Sequence, residues 1–428
     1  MGKTGGDGPE ARIARRLVCL VPGYEPMEPD AHIARFRRAA ERSASVFGAQ
    51  VAFTAGPDAS LGEAAMQPDG PFHRLGAALT PKDGAEATHS RIVLFAWDDL
   101  IAAYAGRPLA KRIATGFSAL FAFLFNGTFL SYCRTSWRYG AFFLFPLLLT
   151  LAILALASFV ALTLGTIFPG PTTWLVGALI AGVVASILFH LADKRWHLMV
   201  ALDDWSLARD LCERSNPAIE ARIAAFSKAF SAEAARGDVD EIVVAAHSLG
   251  ASLAVPALAA AFEDGFAPRT PLHVLTVGSS LMKTALHPAA GWQREAVRRI
   301  LVDHAVAWTD CQALSDPINF YKSDPARSLG IAADPGPVVV KLRLKHMVSA
   351  DTYRRIKRDF FRLHRQFVLA VERRCPYSFH MLLLGPAPLE AFRTLKSVDR
   401  PPLCAPGTDP QAGREDASGR AAKGRIAR

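Results

Sequence analysis

The sequence predicts an α/β fold, a mostly parallel sheet flanked by helices, with a two-helix transmembrane hairpin inserted in one crossover. Short apolar runs such as 17–21, 91–97 and 242–245 alternate with stretches of helical periodicity, which is the pattern of βαβ units. Between the second and third runs, residues 141–168 and 172–191 contain no Asp, Glu, Lys or Arg. Each of these two stretches can cross a hydrocarbon core, which takes about 20 apolar residues.

The part of the chain before the hairpin predicts two convincing strands. Residues 1–16 are polar and glycine-rich, which predicts a disordered N-terminus without a signal peptide. In order, we expect a strand at 17–21, a helix at 30–46, a strand at 50–54, mostly loop at 55–90 and a strand at 91–97.

After the hairpin the alternation resumes. We expect helices at 196–211 and 217–235, a strand at 242–245 with its helix to 262, strands at 272–277, 304–308 and 338–344, and a long basic helix at 350–374. Residues 400–428 predict a disordered tail. One α/β domain therefore covers residues 17–110 and 196–395, and the membrane insertion covers residues 111–195.

The charges around the hairpin predict its orientation. Because the linker at 169–171 is short and uncharged, both outer ends must lie on the same side of the membrane. Basic residues flank those ends: Lys111, Arg112, Arg134, Arg138, Lys194 and Arg195. The positive-inside rule makes that side cytoplasmic, so both termini are cytoplasmic, at the inner membrane if the source is a bacterium. The aromatic-rich stretch 116–132 is interfacial or re-entrant rather than a third span.

The composition favours a membrane partner. Hydrophobic residues make up 51% of the chain and the formal net charge is +10. A positive surface attracts nucleic acid or acidic lipid headgroups, and no part of the chain resembles a nucleic-acid-binding module. The six cysteines form no CxxC pair and no His/Cys cluster, so we expect reduced thiols, no metal and no cofactor. The oligomeric state stays open.

The segment 241–255 contains the most informative motif, Ala246-His247-Ser248-Leu249-Gly250. A short buried strand turns sharply into a helix, and Ser248 lies at the turn, as in the G-x-S-x-G nucleophile elbow. Alanine replaces the first glycine and is still small enough for the turn to close. The alternative is an ordinary βα turn in which Ser248 caps the helix.

On this motif and the alternation around it, the chain resembles the α/β-hydrolases, most closely the lipases and esterases, over roughly residues 17–99 and 196–384. The resemblance implies a triad in the chain order serine, acid, histidine. It also implies an oxyanion hole formed by the N–H of Leu249 and by Gly23 or Tyr24 in the loop after the first strand. The segment 278–280 is similar to a Gly-Ser segment of lipases that packs beside the elbow.

Two aspartates compete for the role of the acid. Asp316 begins Asp316-Pro317-Ile318, which resembles the Asp-Pro-Val segment of many lipases, and the proline would orient the carboxylate. Asp310, directly after the strand predicted at 304–308, is the alternative. Either residue could instead form an Asx turn or a helix cap.

Three histidines follow these aspartates, and two of them are candidates. His364 shares the apolar face of its predicted helix with Phe360 and Val368, so it needs a polar partner, which a triad would supply. The segment is also similar to a His-x-x-aromatic motif of some lipases. His346, directly after the last predicted strand, is the alternative.

Together these features predict a membrane-anchored serine hydrolase that cleaves a carboxylic ester, a lipid or long acyl ester, through an acyl-enzyme. A second hypothesis keeps the fold but not the catalysis: a membrane scaffold or lipid-binding protein. The basic face of 350–374 would be solvated or would lie against anionic lipid.

Overall fold

The fold is built on one eight-stranded sheet. The structure is a computed structural model, which describes residues 12–55, 70–167, 170–237 and 239–393; residues 1–11 and the predicted disordered tail lie outside the described residues. The strands are β1 (Arg15–Val21), β2 (Ala49–Ala55), β3 (Phe72–Pro81), β4 (Thr88–Phe95), β5 (Glu241–His247), β6 (Leu272–Val277), β7 (Ala307–Ala313) and β8 (Val338–Leu342). β1 takes in two residues of the segment 1–16.

The sheet is mixed but mostly parallel. Its spatial order is β2-β3-β4-β1-β5-β6-β7-β8. β3 pairs antiparallel with both β2 and β4, and each of the other neighbouring pairs is parallel. The carboxyl ends of β1, β5, β6 and β7 therefore lie side by side at one edge, where open α/β sheets ordinarily bind ligands.

Helices connect the strands and cover the sheet. They are α1 (Pro29–Val46), α2 (Asp98–Ala105), α3 (Leu109–Phe125), α4 (Thr128–Thr135), α5 (Trp137–Ile167), α6 (Pro171–Trp196), α7 (Leu198–Glu213), α8 (Pro217–Ala234), α9 (Ala251–Glu263), α10 (Leu281–Ala285), α11 (Gly291–Arg298), α12 (Ala350–Ile356), α13 (Phe360–Arg365), α14 (Phe379–Leu384) and α15 (Leu389–Arg393). Seven helices, α2 to α8, separate β4 from β5.

Alternating side chains divide the hydrophobic core between the two faces of the sheet. In β1, Leu17 and Cys19 point into one core, which contains α7, α8 and α9, whereas Val18 points into the other, which contains α1 and α14. Successive side chains of a strand point to opposite faces of the sheet, so a strand covered by helices on both faces buries side chains in two cores. Burial on both sides explains why the parallel strands read as continuous apolar runs.

Two helices are long and apolar enough to cross a membrane. α5 and most of α6 meet this criterion, and only 11% of the most apolar window of each helix is buried. The two helices pack together along small residues: a Cβ on Gly177 would lie 3.2 Å from the Ala161 carbonyl oxygen, and one on Gly165 would lie 2.9 Å from the Trp174 ring. The hairpin leaves large apolar side chains exposed along both helices, as a lipid-facing surface would.

The aromatic-rich stretch 116–132 falls in α3 and α4. α3 buries Ala119, Leu120 and Phe123, and Gly116 lies so close to α7 that a Cβ there would contact Leu202 at 2.6 Å. α2 and α3 together are long and apolar enough for a third span, but the two helices are bent by 110° at the break between them. One face of α3 therefore packs into the core of the α/β domain.

Three predictions of local structure are wrong. The segment 55–90 contains β3 and the start of β4 in its described part, not only loop. The strand predicted at 304–308 is β7, which begins at Ala307 and continues to Ala313, so Asp310 lies inside it. The basic stretch 350–374 forms two short helices rather than one, because Asp359 caps a new helix by accepting a hydrogen bond from the Arg362 N–H.

Candidate active site

The turn after β5 has the geometry of a strained elbow. Ser248 has φ 53°, in the left-handed region, and the chain passes from β5 through a 3-10 turn at Ser248–Gly250 into α9. A Cβ on Gly250 would overlap the carbonyl oxygen of Pro22, so only glycine lets the turn approach the end of β1. The Ser280 N–H donates to the Ser248 carbonyl at 3.1 Å and ties the elbow to the loop after β6.

Asp316 and His364 form a buried pair. His364 Nδ1 lies 2.7 Å from Asp316 Oδ2, and Asp316 is fully buried. The carboxylate also accepts hydrogen bonds from the N–H groups of Ile318 at 2.9 Å and Asn319 at 3.2 Å. Three residues after the end of β7, this Asx-type turn fixes the carboxylate against the imidazole. A carboxylate on Nδ1 favours the tautomer that carries its proton there, which leaves Nε2 as a proton acceptor.

His364 is positioned by its short helix and by the β6 loop. Gly278 has φ 55°, and a Cβ there would lie 2.8 Å from the Phe367 ring and 3.1 Å from His364 Cε1. A side chain at residue 278 would therefore push the imidazole away. His364 Nε2 is buried and has no hydrogen-bond partner among the described residues.

Ser248 and His364 share two cavities but are not hydrogen-bonded to each other in the described structure. Both line the same two cavities, and the Ser248 hydroxyl lies 3.4 Å from that of Ser280. Hydrogen bonds between a nucleophile and its base are often loose in a ligand-free site and tighten when substrate binds. The arrangement holds the serine, a free imidazole nitrogen and a carboxylate at one edge of the sheet.

The two alternative residues lie elsewhere. Asp310 is buried within β7, where its carboxylate accepts hydrogen bonds from Thr276 Oγ1 at 2.5 Å and Gln312 Nε2 at 2.7 Å; burial raises its pKa to about 6. His346 is exposed in a 3-10 turn after β8 and lines neither cavity beside Ser248. Asp310 is thus held by a separate polar cluster and His346 lies at the surface.

The residues predicted to form an oxyanion hole lie around Ser248. A Cβ on Gly23 would lie 2.8 Å from both Ser248 Cβ and His247 Nδ1, so its backbone lies against the serine. The N–H groups of Gly23 and Tyr24 have no acceptor within the described chain. Trp97 Nε1 donates to the Pro22 carbonyl at 2.9 Å and fixes this loop. The Leu249 N–H, directly after Ser248, is the third candidate donor.

His247, directly before Ser248, is buried beside His364. Its ring centroid is 4.8 Å from that of His364, and burial, reinforced by His364, lowers the pKa of His247 well below its ordinary value. The neutral form of His247 is therefore the favoured one beside the candidate site.

Two cavities meet at Ser248, and the exposed surface of both is mostly apolar. The first encloses about 770 Å³ of space, counted with the solvent at its mouth, and α5, α7 and α13 supply much of its wall. The second encloses about 700 Å³ counted in the same way, and Glu25, His197 and Arg365 are in its wall. The charged side chains of the second wall could contact a polar group, and the aromatic side chains of the first could contact an apolar one.

An ion pair in the wall of the first cavity was not anticipated from the sequence. Lys283 is almost fully buried, its ammonium contacts the half-buried Asp204 carboxylate, and it lies 4.0 Å from the centroid of the Trp205 ring. Burial lowers the pKa of Lys283 despite this partner. The sequence signal was an acidic pair, Asp203-Asp204, in the first half of α7, which is otherwise apolar up to Trp205.

Comparisons of the chain with known protein families, with curated proteins and with solved structures found no match.

Proposed function

We propose that this protein is a membrane-anchored serine hydrolase that cleaves a carboxylic ester through a triad of Ser248, His364 and Asp316. The observation that carries the proposal is the buried contact of 2.7 Å between His364 Nδ1 and Asp316, which leaves Nε2 unpartnered beside cavities that Ser248 lines. An oriented imidazole near a serine hydroxyl that lines a cavity at a strained elbow is the arrangement that nucleophilic acyl transfer requires.

In the proposed reaction, Ser248 Oγ attacks the ester carbonyl and His364 Nε2 takes its proton. Asp316 stabilises the imidazolium that forms. The N–H groups of Leu249 and of Gly23 or Tyr24 donate to the oxyanion of the tetrahedral intermediate. Collapse of the intermediate expels the alcohol, which receives the proton from His364, and leaves an acyl-enzyme that water hydrolyses by the same steps.

The membrane hairpin and the apolar cavity favour a lipid or long acyl ester as substrate. The cavity wall contains several aromatic side chains, and its exposed surface is mostly apolar. We place the active site and both termini in the cytoplasm, in a bacterium at the inner membrane, because Arg134, Arg138, Lys194 and Arg195 all flank the outer ends of the hairpin.

Labelling with a fluorescent fluorophosphonate tests the proposal, since this reagent reacts with activated serines. Wild-type protein in detergent should label, and Ser248→Ala should not. His364→Ala should lower the labelling rate by a factor of about 10³ or more, because the hydroxyl loses its base. His346→Ala, a matched substitution at an exposed histidine, should label like wild type. Labelling that persists in Ser248→Ala contradicts the assignment.

One observation favours a second candidate function, a non-catalytic membrane scaffold or lipid-binding protein. The Ser248 hydroxyl is within reach of Ser280 at 3.4 Å rather than hydrogen-bonded to His364. This alternative predicts that wild type and Ser248→Ala are equally unreactive towards the fluorophosphonate. The same experiment therefore separates the two functions.

A further inference from the structure

The cytoplasmic ends of both membrane helices form part of the wall of the first cavity. Phe142, Phe145 and Pro146 of α5 and Trp196 of α6 line it together with Ser248. These four residues belong to the two helices that are long and apolar enough to cross a membrane. The hairpin is thus a wall of the candidate active site as well as an anchor.

The length of α5 indicates how deep in the membrane this wall of the first cavity lies. A hydrocarbon core of roughly 30 Å takes about 20 helical residues at about 1.5 Å per residue. Counted back from Ile167, where α5 ends, the core reaches about as far as Leu148, and large apolar side chains are exposed from Leu148 onwards. Phe145 lies about one turn beyond, in the headgroup layer, which adds roughly 5–7 Å on each side. The acyl ester bonds of membrane lipids lie at this level.

Half-buried aromatic rings line the first cavity where α5, α6 and α13 meet. The Phe360 ring centroid lies 6.1 Å from that of Phe142 and 5.9 Å from that of Phe145, in both cases edge to face, and the Phe145 centroid lies 6.0 Å from that of Trp196. Phe360 begins the helix that carries His364 one turn later. We call Phe142, Phe145, Trp196 and Phe360 the aromatic cluster.

The aromatic cluster contains no charged or hydrogen-bonded contact among its members. Rings that meet edge to face gain only about 0.5–1.5 kcal/mol beyond their buried area, so an acyl chain that parts two of them costs little more than this and restores the apolar contact. An ion pair at the same place would oppose such an exchange, because it would have to be broken and desolvated.

We propose that the substrate is a membrane-resident acyl lipid whose chain reaches Ser248 laterally, from the cytoplasmic leaflet, through the aromatic cluster. This inference rests on the proposed hydrolase function. The acyl chain occupies the first cavity, and the polar part of the lipid occupies the second cavity, near Glu25, His197 and Arg365. Because the ester lies in the headgroup layer, the lipid need not leave the bilayer to react.

The test compares two fluorophosphonates that attack the same serine. One carries a long alkyl chain and is embedded in vesicles of phosphatidylethanolamine and phosphatidylglycerol that contain the full-length protein; the other carries an ethyl group and is dissolved in water. The measured quantity is the ratio of the two rates of labelling at Ser248. Phe145→Trp should lower this ratio about tenfold, because added bulk obstructs the route, and Phe145→Ala should raise it.

Leu151 supplies the matched control, because it lies on the same helix, is exposed, and does not line the cavity. Leu151→Trp and Leu151→Ala should leave the ratio unchanged. Lateral entry is overturned if the Phe145 variants leave the ratio within twofold of wild type, or if the Leu151 variants change it equally. If neither reagent labels wild type at Ser248, the hydrolase function fails as well, so the two failures are distinguishable.

Discussion

At the residue scale, the two aspartates near the end of β7 have contrasting surroundings. Asp316 follows the strand and is paired with His364, whereas Asp310 lies inside the strand, and its neighbours Thr276 and Gln312 are neutral. Without a cation beside it, burial dominates at Asp310 and raises its pKa from 3.8 to about 6. Its charge therefore opposes folding at neutral pH.

This contrast predicts a pH-dependent stability that Asp310→Asn abolishes. Between about pH 4 and pH 6 the folded protein binds more protons than the unfolded chain, so the free energy of unfolding falls as pH rises through this range, by about 2 kcal/mol for a pKa difference of about two. Asparagine does not titrate. Relative to wild type, the variant should therefore gain about 2 kcal/mol between pH 4 and pH 6.5.

Urea unfolding in detergent, followed by tryptophan fluorescence at both pH values, measures this gain. Asp351→Asn is the control, because that carboxylate is exposed and should show no comparable change. An Asp310→Asn gain that is the same at both pH values would show that the pKa of Asp310 is the same in the folded and unfolded protein, contrary to its raised pKa.

The serine and the acid of the candidate triad could be predicted from the sequence because both lie close after predicted strands, whereas His364 was predicted from the apolar face of its helix and from a resemblance to lipases. Ser248 was marked by small neighbours in a sharp turn, and Asp316 by the proline after it. The partner of Asp204 could not be predicted in this way. Lys283 lies far from Asp204 along the chain, and nothing in either local pattern indicates that α7 brings its carboxylate to α10.

At the element scale, a buried ion pair joins β1 to β5 and to the C-terminal part of the described chain. Arg16 Nε lies 2.6 Å from Glu241 Oε2, and the Arg16 guanidinium also donates to the carbonyl oxygens of Gly385 and Ala387, each at 2.7 Å. Glu241 Oε1 accepts from the Leu389 N–H at 2.7 Å. Both charges are therefore fully paired within the protein.

Removing one partner should destabilise the sheet severely. Arg16→Met leaves the Glu241 carboxylate buried without a cation, which should lower the free energy of unfolding by about 3–5 kcal/mol. Arg15→Met changes the exposed neighbour in the same strand and should cost less than about 0.5 kcal/mol. Urea unfolding in detergent at pH 7 gives both values.

The double variant Arg16→Met/Glu241→Leu shows whether the loss of stability comes from leaving the Glu241 carboxylate buried without a cation. Replacing both charged partners with apolar residues is often far less costly than replacing one, so the double variant should be more stable than Arg16→Met alone. If the two single losses simply add, the two side chains act independently and the ion-pair explanation is wrong.

Strands buried on both faces were predictable as elements, whereas β3 was not. β1, β4 and β5 appear as continuous apolar runs, but β3 contains His73, Arg74 and Gly76. The available signal was the alternation of Leu75, Ala77 and Leu79, all buried in the structure. Gly76 interrupts this alternation in the sequence, because glycine is unusual inside a strand. Glycine is nevertheless needed at residue 76, because a Cβ there would overlap the Thr54 side chain of the paired strand β2.

At the scale of the whole molecule, the alternation of apolar runs and helices predicted the mostly parallel sheet, and the charge-free stretches predicted the two long apolar helices. The sequence did not show that the ends of α5 and α6 would form a wall beside Ser248. That contact depends on how α3, α4 and α7 pack, which no local pattern encodes. The cavity is a property of tertiary packing.

The proposed orientation of the hairpin predicts which surfaces face the cytoplasm. Thr172 lies at the start of α6, next to the turn of the hairpin, and Lys82 is exposed directly after β3; both side chains are exposed. If the hairpin spans the membrane with its basic ends inside, residue 172 must face the opposite compartment from residue 82. Single cysteines at these positions report on the two sides.

The measurement uses a membrane-impermeant maleimide on vesicles of defined orientation. In a background with Cys133 and Cys404 replaced by serine, Thr172→Cys should label in right-side-out vesicles and Lys82→Cys only in inside-out vesicles. Each variant serves as the control for the integrity of the other preparation. If both cysteines label from the same side, the hairpin does not span the bilayer, and the cavity wall that it forms then faces water or another protein rather than lipid.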